Sequence, residues 1–163
     1  MSFGNLKGKT PSSAGSYIND EVECVVEVTV NKAKASERGD GKYFFITEFK
    51  VVEVLSGPIV VDASRTQTIN INSQAGPSDC VAYLAAAAGI DPYNTDGDFE
   101  AALIAAYSEA LEMKDLSIEQ IAEIVCDENQ PLAGVKLRLQ TVNKPMKTEG
   151  KFFTKHLWFP VED

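Results

Sequence analysis

Histidine is almost missing from this chain: His156 is the only one in 163 residues. The three cysteines, Cys24, Cys80 and Cys126, are far apart, and no Cys/His spacing suits zinc. Neither a G-x-x-x-x-G-K-[ST] loop nor a G-x-G-x-x-G helix start occurs, so nucleotide hydrolysis and dinucleotide binding lack support. The acidic stretch from Asp91 to Asp98 fails as an EF-hand. With Gly97 at the sixth loop position, Pro92 falls first and Leu103 stands where a glutamate is required. Glu48, Glu53 and Asp62 lack the spacing of a metal-nuclease cluster. A lone histidine within a strand is more often structural than catalytic, so neither enzymatic activity nor a cofactor is expected. Long apolar runs are also absent. The patch Ala85 to Ala88 is too short to span a bilayer, and the opening MSFGNLKGKT lacks the apolar core of a secretion signal. Cysteines odd in number and set among apolar neighbours fit reduced, buried thiols, and a cytoplasmic location is expected.

Positive charge is scarce overall, with a formal net charge of −9, but the distribution is uneven. Residues 75–130 hold twelve acids against Lys114 alone, a net of −11, which leaves +2 for the remainder. Residues 135–156 carry six bases against Glu149, a net of +5. Segregation of this kind bears on partners rather than on fold. The length suits one domain with one core.

Residues 1–16, rich in Gly, Ser and Lys, read as a flexible arm ahead of a domain over 17–163. A first strand is expected from Tyr17 to Val30, with Val22, Cys24, Val26, Val28 and Val30 on one face and Val25 breaking the alternation. Asn31 to Lys42 reads as a mildly basic loop holding Lys32, Lys34, Arg38 and Lys42. Tyr43 to Leu55 is a second strand, and the phase change at Val52 to Val54 predicts a β-bulge. A third strand, SRTQTINI, sets Arg65, Gln67, Ile69 and Ile71 on one side. The period then changes. Ser78 is the expected N-cap of a helix from Cys80 to Ala88 that Gly89 stops. Thr95 with Asp98 forms the expected capping box of a second helix, Phe99 to Met113. Ser117 with Gln120 caps a third, with Leu116 and Ile121 as a hydrophobic staple. Two strands close the chain. Val135, Leu137, Leu139 and Thr141 alternate with polar residues, and the return strand runs from Phe152 to Phe159 across a polar turn containing Pro145 and Gly150.

Three strands, a helical block over about 76–129 and two further strands make the layout of a mainly β fold, a five-stranded OB-fold-like antiparallel barrel with helices between strands three and four. In that layout the loops joining strands one to two and four to five flank the binding face, and here both are basic. Single-stranded nucleic acid needs cations along its backbone and flat groups for its bases. The expected phosphate contacts are Lys32, Lys34, Arg38, Lys42, Arg65, Lys136, Arg138, Lys144, Lys147 and Lys151. Tyr43, Phe45, Phe152, His156 and Trp158 are the expected stacking set, with Phe153, Leu157 and Phe159 turned inward. The competing reading is an ordinary hairpin whose rings are core and whose lysines are merely solvated.

The segments GKYFFITEFKVVEVLSG, SRTQTINI leading into GPSDCVAYLAAAAGI, and QPLAGVKLRLQT…KTEGKFFTKHLWFPV together resemble the OB-fold single-stranded-DNA-binding proteins of bacteriophages. The likeness covers most of Tyr17 to Val161 as a pattern of strands, aromatics and loops. It implies coating of unwound DNA in phage replication or recombination, without base specificity. The long acidic tail common in such proteins is reduced here to Glu162 and Asp163. Partner recruitment is then expected from the acidic helical block. The expected partners are single-stranded DNA, replication or recombination proteins, and further copies of the chain, but not a membrane. The alternative is a phage structural or adaptor protein that uses the barrel and the acidic helices for protein contacts.

Overall fold

The computed structural model describes residues 17–94 and 98–161. Among them are five strands, β1 (Glu23–Ala35), β2 (Tyr43–Ser56), β3 (Ser64–Asn70), β4 (Lys136–Pro145) and β5 (Phe152–Pro160). Three helices, α1 (Gly76–Ala87), α2 (Phe99–Leu111) and α3 (Ile118–Val125), stand between β3 and β4. The strands form one antiparallel sheet in the order β3-β2-β1-β4-β5. The sheet is barrel-like but not closed: no ladder joins β3 to β5 among the described residues. The expected arm over 1–16, with Thr95, Glu162 and Asp163, lies outside the described residues. No helix among those described is long and apolar enough to cross a membrane.

Alternation builds the core. Cys24, Val26 and Val28 of β1, Phe45, Phe49 and Val51 of β2, Ile69 of β3, and Leu137 and Leu139 of β4 are all buried on one face. α1 adds Tyr83, Leu84, Ala85 and Ala86, small enough for the helix to lie close to the sheet. Trp158 of β5 is the centrepiece. It meets Phe49 edge-on at 5.4 Å and Tyr83 at 5.1 Å, and its indole N–H donates to Gln67 Oε1 at 2.9 Å. That side-chain bond ties β5 to β3 where the ladder is missing. The chain before β1 is anchored on β4. Ile18 is buried, the Thr141 hydroxyl donates to the Asp20 carbonyl at 2.7 Å, and the Val22 N–H donates to Thr141 Oγ1 at 2.9 Å.

Three register shifts interrupt the β1–β2 pairing, one between Glu23 and Cys24, and the other two set which side chains face inward. Val51 pairs with Val26 but Glu53 with Val25, so Val52 is an extra residue, the bulge expected in this stretch. A second shift, between Val28 and Val30, was not anticipated. It turns Val30 off the core face and carries Asn31 in, where Nδ2 donates to Thr47 Oγ1 at 3.0 Å and to the Tyr83 hydroxyl at 2.9 Å. The Gln130 amide brackets the Asn31 backbone, accepting from its N–H at 2.7 Å and donating to its carbonyl at 2.8 Å, as a neighbouring strand would.

β1 starts later and runs five residues beyond the expected Val30, so Lys32 and Lys34 stand on a strand and not in a loop. The reason is cross-strand pairing: Lys32 lies opposite Ile46 and Lys34 opposite Phe44, and the ladder holds the polar sequence extended. β4 likewise continues to Pro145, opposite Phe152 at the end of the ladder, which shortens the turn to 146–151. The expected cap Ser78 lies inside α1, whose N-cap is Ala75. The Ser73 hydroxyl instead accepts from Gly76 N–H at 2.9 Å. A Cβ on Gly76 would stand 1.8 Å from the Asn70 carbonyl oxygen, so only glycine fits this tight exit from β3. Asp98, expected as the partner of a Thr95 cap, is itself the N-cap of α2 and accepts from Ala101 N–H at 3.0 Å. The third box is as expected. Ser117 and Gln120 exchange both bonds, and Leu116 and Ile121 are buried.

Candidate nucleic-acid interface

The unlaced seam between β3 and β5 is a groove of about 700 Å³. Thr66 to Asn70 form one wall, Phe152 to His156 the other, and Tyr17 to Asn19 cross it. Lys144 and Lys155 border it, and Asp79 reaches it from α1. A second concavity of about 480 Å³ lies under the β1–β2 loop, lined by Lys34, Arg38, Lys42, Phe44 and Ile46, with Glu37 and Asp40 as its acids. Tyr17 and Thr68 line both, so the two hollows form one continuous surface; the Tyr17 hydroxyl stands 3.4 Å from Thr68 Oγ1. The β1–β2 loop and the β4–β5 hairpin therefore border the same face. Exposed rings stand along it: Phe152 at 65%, Tyr17 at 49% and Phe153 at 49%.

Several expected contacts belong to this surface. Arg38 and Lys42 line the second hollow, and Lys144 and Phe152 line the first. Lys147 and Lys151 are exposed in the turn between Pro145 and Phe152, both of which line the first hollow. Lys34 belongs too, although its ammonium lies 3.4 Å from Glu37. Lys32 is engaged by Glu48 at 2.7 Å.

His156 lines the first hollow as well, and the rest of the expected set is elsewhere. Phe45, 3% exposed, packs on Tyr83 inside the core, and Trp158 is 1% exposed. Tyr43 is exposed but lines a separate apolar groove against α1 and α3. Arg138 is already satisfied, with Nη1 2.6 Å from Glu23 Oε2 and its guanidinium 4.1 Å above the Phe159 ring. Lys136 and Arg65 line neither hollow, and Arg65 donates to the Ser64 carbonyl at 2.8 Å. The expected sidedness of β5 is reversed. Trp158, His156 and Thr154 turn toward the interior, while Phe153 and Phe159 stand on the other face. Both faces of β5 carry an aromatic residue at each end and a polar residue between, so periodicity alone does not choose between them. Tyr17, Phe44 and Lys155 are further members that the sequence reading lacks, and Phe153, expected to turn inward, is exposed. The alternation of Phe44 with the core residues Phe45 and Thr47 was the available signal for one of them.

His156 is chemically the most unusual residue here. Its Nε2 is buried without a hydrogen-bond partner among the described residues. Burial pushes the imidazole down to about 4, against a partial offset from the Thr154 backbone carbonyl. The ring lies over Trp158 at 6.3 Å, nearly parallel. It is therefore neutral at physiological pH, with Nδ1–H directed to the Thr154 carbonyl and Nε2 left as an acceptor. Burial also raises all three thiols, Cys24 and Cys126 to about 11 and Cys80 to about 12, which leaves them protonated and weakly nucleophilic. Among the described residues no three metal-ligating side chains come together.

Of the described acids between residues 75 and 130, only Asp79 lines the seam groove. Glu119 and Glu123 of α3 instead rim the apolar groove beside Tyr43. No protein-family model matches any part of the chain, and no curated protein matches it.

Proposed function

We propose that the chain is a non-enzymatic single-stranded-DNA-binding protein, tolerant of sequence, acting in phage DNA replication or recombination in the host cytoplasm. The observation that carries the reading is the common face shared by the two basic segments, with Tyr17, Phe152 and Phe153 exposed between them. Lysines supply sequence-independent attraction to phosphates, and rings supply stacking that every base accepts. If Arg38, Lys42, Lys144, Lys147 and Lys151 each neutralise one phosphate, log K falls with log salt at a slope of about −3.5. Fluorescence anisotropy of a labelled oligonucleotide across a salt series measures that slope. The Lys144→Gln/Lys151→Gln double variant is expected to flatten it to about −2, while Lys136→Gln leaves it unchanged. Absence of binding at low salt, or equal weakening by Lys136→Gln, overturns the reading.

A second reading, an adaptor docking through the acidic helices, is favoured by one feature. The groove of about 410 Å³ between Tyr43, Phe45 and the helices α1 and α3 is mostly apolar and carries Glu119 and Glu123 on its rim. A basic, apolar peptide segment has the chemistry to fill it. A chain that ignores DNA at low salt but retains its fold supports this second reading.

A further inference from the structure

His156 lines the seam groove, and its Nε2, buried behind that wall, has no hydrogen-bond partner among the described residues, which packing leaves unexplained because a buried acceptor without a partner costs free energy. Asp79, from α1, lines the same groove. Both groups offer hydrogen-bond acceptors. Asp79 is raised by burial and held back by Lys155, and the imidazole stays neutral, so neither is suited to hold a phosphate. The N-terminus of α1 is not an anion site either: Gly76 N–H is bonded to Ser73 and Pro77 has no N–H. A groove of about 700 Å³ is large enough for a nucleobase with its sugar, which the exposed ring of Phe152 can flank. Bases differ in what they present to a pair of acceptors. Cytosine offers an amino group at the edge where thymine offers a carbonyl oxygen.

We propose that the β3–β5 groove takes one base edge-on and favours a base with an exocyclic amino group, which donates to His156 Nε2 and Asp79. This rests on the DNA-binding reading and adds to it a bias at one position of an otherwise sequence-tolerant surface. Nε2 has no exposed surface in the free chain, so entry of the base displaces a neighbour. Phe152 and Lys155, exposed on the same strand, line the groove with His156.

Labelled oligo-dC and oligo-dT of equal length test the idea, since the two pyrimidines are alike in size and differ at the decisive edge. Anisotropy titrations at neutral pH and fixed salt are expected to give about fivefold tighter binding of oligo-dC. His156→Phe keeps a ring and removes the acceptor; it is expected to abolish the preference by weakening oligo-dC more than oligo-dT. Asp79→Asn, on a different element, is expected to narrow the preference and serves if the first variant does not fold. Equal or tighter binding of oligo-dT by the unaltered chain overturns the inference and leaves the DNA-binding reading standing. A preference that survives in folded His156→Phe, or that is undiminished in Asp79→Asn if that is the variant that folds, does the same. Failure to bind either oligonucleotide at low salt overturns both.

Discussion

Acidification is expected to destabilise this protein through one side chain. His156 ordinarily titrates near 6.5, and burial brings it to about 4 in the folded chain. Charging it in place means burying an imidazolium, so the unfolded chain binds the proton more readily than the folded one. The sign follows. The neutral ring's contribution is fully present above the unfolded value of about 6.5 and is lost as pH falls toward about 4. The full difference corresponds to roughly 3 kcal/mol, of which about 2 kcal/mol is lost between pH 7 and pH 5. Urea unfolding followed by the fluorescence of Trp158, the only tryptophan, reads this directly. Carboxylates titrate in the lower part of the same range, so the informative quantity is the unaltered chain minus His156→Phe at each pH. That difference is expected to turn against the unaltered chain by about 2 kcal/mol on going from pH 7 to pH 5. An NMR titration placing the folded-state imidazole near 6.5, or a difference that does not change with pH, refutes the reasoning.

Trp158→Ala removes the ring that joins β2, β3, β5 and α1; it is expected to cost about 3–5 kcal/mol in urea unfolding followed by circular dichroism. Tyr83→Phe leaves Asn31 Nδ2 with Thr47 alone and is expected to cost about 1 kcal/mol in the same assay. Gly76→Ala places a methyl against the Asn70 carbonyl and is expected to lower stability by roughly 3 kcal/mol, read as a reduced denaturation midpoint. Phe152→Ala and Phe153→Ala are expected to weaken oligonucleotide binding by about 1–3 kcal/mol each where a base stacks on the ring, with the unfolding midpoint unchanged.

Local chemistry was legible along the chain wherever one signal acted alone. The Ser117–Gln120 box, the bulge near Val52, the inward run of Leu137, Leu139 and Thr141, and the block of helices between the third and fourth strands follow from residue type and spacing. These features depend on neighbours within a few positions, or on a period that burial of one face imposes. The extent of β1 was not legible, because NKAKA is held extended by its pairing with β2 and not by its own composition. The tight start of α1 was hidden for a similar reason: Ser73 and Gly76 act against a carbonyl six residues from the glycine, in β3.

The amino-acid sequence by itself determined the periods of the strands, the Ser117 cap of α3 and the segregation of acid from base, because each is a property of neighbouring residues. Only tertiary structure decided which way β5 faces. Its two alternating sets, Phe152-Thr154-His156-Trp158 and Phe153-Lys155-Leu157-Phe159, are nearly equal in apolar character. The space between Phe49 and Tyr83, with Gln67 to accept the indole proton, selects the set containing Trp158. That choice buries one ring, leaves His156 Nε2 without a partner and sets the hairpin's lysines beside the same seam as Tyr17.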